Sequence, residues 1–190
     1  SVANNLYVAY EIEPDFTIGV ANVIPSGQYF YGYNNFAVSY AWSERCATTA
    51  AYTITGIEYQ DQDFAADDDR LTNIFSLQVS YKLKRTTALS AEYRFETNSY
   101  PNSSGGQTSP DYTAHYLLVG VDQAWSPTLS ASARAGAQYY DSDRTQNVAP
   151  YLEASLTAAL SRQSSLRWYN QLGYNGSQLG DFDARYSFST

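Results

Sequence analysis

The chain has 190 residues, a net charge of −8, one cysteine and no methionine. This length suits one domain, and the negative charge argues against nucleic-acid binding, which requires a basic face. A single cysteine excludes an internal disulfide, and no apolar run approaches the roughly 18 residues of a membrane-spanning helix.

The predicted elements are strands, because apolar and polar residues alternate with a period of two along most of the chain. One stretch is ambiguous: TAAYTITGIEY offers apolar residues on both faces. In chain order we predict eleven strands, at 5–12, 16–24, 34–42, 49–60, 71–84, 87–97, 112–125, 128–141, about 152–160, 166–174 and 184–188.

The stretch 71–97 shows the alternation most clearly. Leu77, Val79 and Tyr81 share one face, and the pattern restarts after a polar turn at 85–86. Each run is roughly twice the ~5–6 residues of a typical soluble strand and matches the ~9–11 tilted residues that cross a bilayer. The stretch therefore predicts a transmembrane hairpin.

The connections alternate between short and long. The short set is EPD, SERC, KRT, SPT and SRQS, and the long set lies at 25–33, 61–70, 98–111, 142–148 and 175–181. Outer-membrane barrels have short periplasmic turns and longer extracellular loops. We predict an all-β fold, an antiparallel up-and-down transmembrane β-barrel with about 11–12 visible strands, or a segment of a larger barrel.

The strand count is odd, whereas single-chain bacterial barrels have an even number. With a short turn at 13–15, the first strand would begin on the loop side. We therefore expect a single β-barrel domain over 1–190 that is incomplete at one or both ends.

Charged residues alternate in sign from strand to strand on the polar face, and neighbouring strands are ~4.8 Å apart. One interpretation is a ladder of ion pairs that fills or braces the lumen. The other is a charged constriction that selects solutes. The predicted lumen-lining residues are Glu92, Arg94, Glu96, Asp122, Arg134, Glu153 and Arg167.

Aromatic residues near strand ends predict a girdle at the membrane interface, with a sugar-stacking platform as the alternative. The girdle residues are Trp42, Tyr81, Trp125, Tyr139, Trp168 and Tyr174.

An acidic loop at 61–70 lacks the EF-hand order of ligands. We expect it to be a solvated extracellular loop, with divalent-cation binding as the alternative. Its carboxylates are Asp61, Asp63, Asp67, Asp68 and Asp69. His115 has no cysteine or second histidine beside it, so we predict no metal centre there.

Enzymatic interpretations find little support, since the sequence has no G-x-S-x-G elbow, no H-E-x-x-H pair and no P-loop. We expect neither catalysis nor a cofactor.

Three segments carry a resemblance: VSYKLKRTTALSAEYRFE, SPTLSASARAGAQYYDSD and APYLEASLTAALSRQSSLRWYNQLGY. They resemble the hairpin repeat of outer-membrane β-barrel porins of Gram-negative bacteria, over about residues 34–177. In one respect the chain departs from that pattern. Outer-membrane strands that the assembly machinery recognises typically end with an aromatic residue, whereas Phe188 is followed by Ser189 and Thr190.

The resemblance implies an integral outer-membrane protein that contacts lipid and lipopolysaccharide. Other partners would be further copies of the chain or other envelope proteins, and nucleic acid is not among them. The expected function is a porin or channel for passive passage of small hydrophilic solutes or surface saccharides. The alternative is a structural or adhesive barrel with a plugged lumen that acts through its loops. A third hypothesis is a soluble β-barrel or sandwich that buries its apolar face.

Overall fold

A computed structural model describes residues 1–12, 28–60, 69–101, 111–142, 145–161, 164–175 and 185–189, with side chains for 1–6, 29–60, 69–101, 111–142, 145–161 and 164–173. The described residues form one antiparallel sheet of ten strands whose spatial order follows the sequence. The strands are β1 (Val2–Ile12), β2 (Gln28–Ala41), β3 (Cys46–Tyr59), β4 (Arg70–Lys84), β5 (Thr87–Ser99), β6 (Tyr112–Ser126), β7 (Leu129–Ser142), β8 (Gln146–Ala159), β9 (Ser165–Asn175) and β10 (Arg185–Ser189). The prediction of an all-β, up-and-down antiparallel fold is confirmed. No described helix is long and apolar enough to cross a membrane.

The start of the sheet differs from the prediction. β1 pairs directly with β2, so that Val2 lies opposite Val38 and Ile12 opposite Gln28. The first strand therefore begins beside the turn at 42–45, and the expectation that it begins on the loop side is wrong. That expectation depended on a short turn at Pro14 and a second turn at Pro25. The predicted strand at 16–24 and turn at 13–15 lie outside the described residues. Within the described pairings, none joins β1 to β10.

Two ends of the sheet are distinguished by their connections. The end with the connections 42–45, 85–86, 127–128 and 160–164 is called the short-turn end, and the opposite end is called the loop end.

At the loop end the predicted connection over 142–148 is wrong, because β7 and β8 are separated only by 143–145. Ser142 and Thr145 exchange backbone hydrogen bonds of 3.0 and 3.3 Å. Polar Gln146 and Asn147 still enter the strand because they pair with Asp141 and Tyr140.

The two faces of the sheet have opposite exposure. On one face large apolar side chains are open, including Leu117 at 69% and Val119 at 65% exposure, while polar residues such as Glu92 and Gln138 on the other face are buried. The ambiguous facing of β3 is settled by its register: Tyr52 lies opposite Phe75 and both are exposed.

The sheet curls toward the polar face. Arg94 on β5 contacts Glu153 on β8 at 3.5 Å, although the three inter-strand gaps between them would span ~14 Å in a flat sheet. The face that carries these residues is called the concave face, and the opposite face is called the convex face. A buried cluster lies on the concave face, formed by Ala114, Tyr116, Leu118, Tyr140, Ala149 and Tyr151.

Gly120 occupies a crowded position on the concave face. A Cβ built there would lie 2.7 Å from Arg134 Cγ, 2.7 Å from Ser90 Oγ and 3.0 Å from the Ala133 carbonyl oxygen. We expect Gly120→Ala to destabilise the protein by about 1–3 kcal/mol, because Arg134 must shift to make room. Gly32→Ala is the matched control, since a Cβ at Gly32 meets no atom within 4 Å. Urea unfolding in detergent, followed by tryptophan fluorescence, measures both variants, and equal stability of the two would contradict the prediction.

Candidate functional site on the concave face

Five charged side chains from four strands form one network on the concave face. Arg94 binds Glu92 through Nη2 at 2.8 Å and reaches Glu153 through Nη1 at 3.5 Å. Arg134 lies 3.0 Å from Glu153, 3.5 Å from Glu92 and 3.9 Å from Asp122. Each glutamate therefore lies between two guanidinium groups, and Glu92 and Glu153 are only 8% and 9% exposed.

The strand register brings these groups together. Arg134 on β7 lies opposite Glu153 on β8 and opposite Gly120 on β6. Gly120 in turn lies opposite Ser90 of β5. Because alternate residues of a strand share a face, the strand that carries Ser90 also presents Glu92 and Arg94 to the same side. Small residues at Ser90 and Gly120 leave the space that the Arg134 side chain crosses.

A layer of tyrosines covers the network toward the loop end. The Tyr151 hydroxyl donates to Glu153 Oε2 at 3.0 Å and accepts from Arg94 Nη1 at 3.2 Å. The guanidinium carbon of Arg94 is 5.6 Å from the ring centroid of Tyr116 and 5.9 Å from that of Tyr151. These distances fit cation–π contacts, so Arg94 is fixed both by carboxylates and by aromatic rings.

Glu96 is held by this tyrosine layer and not by an arginine. Its two oxygens accept hydrogen bonds from the Tyr112 hydroxyl at 2.9 Å and the Tyr116 hydroxyl at 3.0 Å. Gln138 donates to the Tyr116 hydroxyl at 3.1 Å. A carboxylate, two phenols and an amide are thus joined by hydrogen bonds.

The structure brings together five of the predicted lumen residues: Glu92, Arg94, Asp122, Arg134 and Glu153. Glu96 lies beside them in the tyrosine layer. Arg167 does not join the network. It lies opposite Thr157 on β8, closer to the short-turn end, and is exposed.

The predicted girdle residues lie at different heights on the sheet. Trp42 and Trp125, with exposures of 67% and 60%, lie at the short-turn end, as does Tyr81. Trp168 is half exposed on β9, and the Tyr174 side chain lies outside the described residues.

Tyr139 lies toward the loop end on the convex face, within a group of aromatic residues that the sequence did not predict. The ring of His115 lies 4.9 Å from Phe95 and 6.1 Å from Tyr139. Its Nδ1 atom is 2.8 Å from the Tyr93 hydroxyl. Aromatic side chains therefore occur at both ends of the convex face.

The acidic loop is only partly described. Asp61, Asp63, Asp67 and Asp68 lie outside the described residues. Asp69 is buried and accepts a hydrogen bond of 2.6 Å from the Tyr59 backbone amide. Over the described part of the chain, no group of three or more histidine, cysteine, aspartate or glutamate residues is arranged to hold a metal ion.

Sequence reasoning missed the tyrosine layer. Tyr116 lies an even number of residues from Asp122 on β6, and so does Tyr151 from Glu153 on β8. Each tyrosine is therefore on the same face of its strand as the charged residue. The alternation that selected the charged residues would therefore have selected these tyrosines as well. They were overlooked because tyrosine was assigned to the membrane interface.

Comparison of the chain with protein-family models, with curated proteins and with solved structures gives no match.

Proposed function

We propose that this chain forms a membrane-embedded β-barrel of the Gram-negative outer membrane, a porin or channel through which small hydrophilic solutes or surface saccharides pass passively. The observation that carries the proposal is the inverted exposure of the two faces. Val119 and Leu152 on the convex face are 65% and 47% exposed, whereas Glu92 and Glu153 on the concave face are buried. Lipid-facing apolar and lumen-facing polar residues alternate in this way in outer-membrane barrels.

The extent of the apolar surface supports lipid as its environment. Exposed large apolar side chains occur on every strand from β1 to β9. Monomeric soluble proteins rarely expose apolar patches larger than a few hundred Å², and each Å² left in water forgoes roughly 25 cal/mol. A soluble sandwich would bury these rows against a second sheet, whereas lipid covers them without further protein.

The concave face supports a polar passage. A cavity of about 310 Å³ opens at its short-turn end, among side chains such as Ser132, Ser155 and Thr157. Farther along the same face lies the network of Arg94, Arg134 and their carboxylates. An entrance bordered by hydroxyl groups and followed by fixed charges is a basis for solute selection.

A second candidate is a structural or adhesive barrel with a closed lumen, and one observation favours it. Leu118 is 1% exposed and Tyr151 is 2% exposed, although both lie on the concave face. Side chains therefore pack densely along β5 to β8, as in small barrels whose interiors are filled. In that case the loops would carry the function.

The test begins with the chain refolded into detergent. Heat-modifiable migration on a gel and partition into the detergent phase are expected for the membrane barrel. Steady conductance in planar bilayers is then expected for the channel. A chain that folds as a monomer in plain buffer would contradict both membrane functions, and a heat-modifiable protein without conductance would favour the closed barrel.

A further inference from the structure

The cavity at the short-turn end of the concave face has an unusual lining for an acidic protein. Three cations border it, Lys82, Lys84 and Arg85, from the end of β4 and the turn that follows. Hydroxyl groups of β7 and β8 border it as well, those of Ser130, Ser132, Ser155 and Thr157. Cations and hydroxyl groups are the side chains that bind oxyanions.

The three cations have no carboxylate partner in the described part of the structure. Every ion pair found there involves Arg94 or Arg134. The one acid that borders the cavity, Asp122, lies 3.9 Å from Arg134 and so is already near a cation. The cavity therefore has an excess of positive charge, although the chain as a whole carries a net charge of −8.

The hydroxyl groups retain donor capacity. Ser132 Oγ and Ser155 Oγ are 2.8 Å apart, so one hydroxyl hydrogen serves this bond and the other is free to donate into the cavity. Donors beside unpaired cations in a partly enclosed space stabilise an anion more strongly than the same groups dispersed in water.

We propose that this cavity binds small hydrophilic oxyanions, solutes that carry a carboxylate or a phosphate. Lys82 and Lys84 supply the charge, and the β7 and β8 hydroxyls supply directional hydrogen bonds. Oxyanion binding at this cavity requires the folded chain and does not require that the chain conduct solutes. The role of the cavity as the entrance for anionic solutes rests on the proposed channel function.

The test compares Lys82→Gln/Lys84→Gln with Arg70→Gln, which removes an exposed cation from the loop end of the same strand. Inorganic phosphate is the probe, and its binding to the detergent-folded protein is measured by broadening of its phosphorus NMR signal. We expect the double variant to bind phosphate about thirtyfold more weakly, because each lost charge removes about 1 kcal/mol of attraction across ~4 Å of water and the two together convert to that factor. Arg70→Gln should bind as the unchanged chain does.

A second measurement separates this inference from the channel proposal. In a potassium chloride gradient across a planar bilayer, the unchanged chain should show a reversal potential shifted toward anion selectivity, and the double variant should lose that shift. If the unchanged chain conducts but does not bind phosphate, the anion site is wrong and the channel proposal is unaffected. The same conclusion follows if the double variant and Arg70→Gln bind phosphate equally well. If phosphate binding is lost only in the double variant and the unchanged chain shows no conductance, the anion site is supported and the channel proposal is wrong.

If the double variant does not fold, Thr157→Val tests the hydroxyl contribution, and unchanged phosphate affinity would count against the site.

Discussion

Replacement of Val119 by arginine is expected to destabilise the protein by about 2–4 kcal/mol, because the proposed location puts this cationic side chain near the bilayer midplane. Val119 lies in the middle of β6 on the convex face and is 65% exposed. In water an exposed valine accepts arginine at little cost, because surface substitutions usually stay within about 0.5 kcal/mol. The effect therefore reports the solvent around this face. Urea unfolding of the protein in phospholipid vesicles measures it.

Val148→Arg is the matched control for this substitution. Val148 is 66% exposed on the same face, but it lies near the loop end of β8. In the proposed membrane location the guanidinium group would reach the interface there, and the expected cost falls to about 0–1 kcal/mol. Two small and equal costs would place the convex face in water and would contradict the proposed membrane location.

Replacement of Arg94 by methionine is expected to cost about 3–5 kcal/mol, because it breaks a buried ion pair and leaves carboxylates without compensation. Glu92 and Glu153 are each about nine-tenths buried, and in the variant Arg134 alone would lie beside both. Methionine preserves much of the side-chain volume, so the loss reports the charge and its hydrogen bonds. Unfolding by urea in detergent, with tryptophan fluorescence as the signal, gives the free energy.

A second substitution distinguishes charge from packing at this site. Arg94→Met combined with Glu153→Gln leaves one glutamate beside Arg134, and we expect it to recover at least half of the lost free energy. Arg70→Met, at the exposed start of β4, should change stability by no more than about 0.5 kcal/mol. No recovery in the double variant would show that the network does not act through charge balance.

The alternation of residue types predicted most of the strands, because strand facing depends on the local sequence. The hairpin of β4 and β5 turns at 85–86 as expected, and Tyr81 lies opposite Leu89 on the convex face. The connection between β1 and β2 was not predicted. Two prolines suggested two turns, and only the pairing of Val2 with Val38 shows that β1 and β2 are neighbours.

The site was predicted in part for a similar reason. The charged residues could be assigned to one face because they occupy alternate positions along their strands. Ion pairing between adjacent strands followed from the spacing of the strands. The contact between Arg94 and Glu153 could not be predicted, since it joins strands three steps apart and depends on how strongly the sheet curls. The tyrosine layer depends on the same curvature, because Tyr116 meets Tyr151 across β7.

The strictly sequential strand order bears on how the protein folds. Each of the ten described strands pairs only with its neighbours in the chain, so the sheet can grow one hairpin at a time without a long-range loop closure. The pair formed by Arg94 and Glu153 is different, because the two residues are 59 positions apart in the sequence. It completes only after four successive strands have assembled. Variants at this pair are therefore expected to accelerate unfolding more than they slow folding.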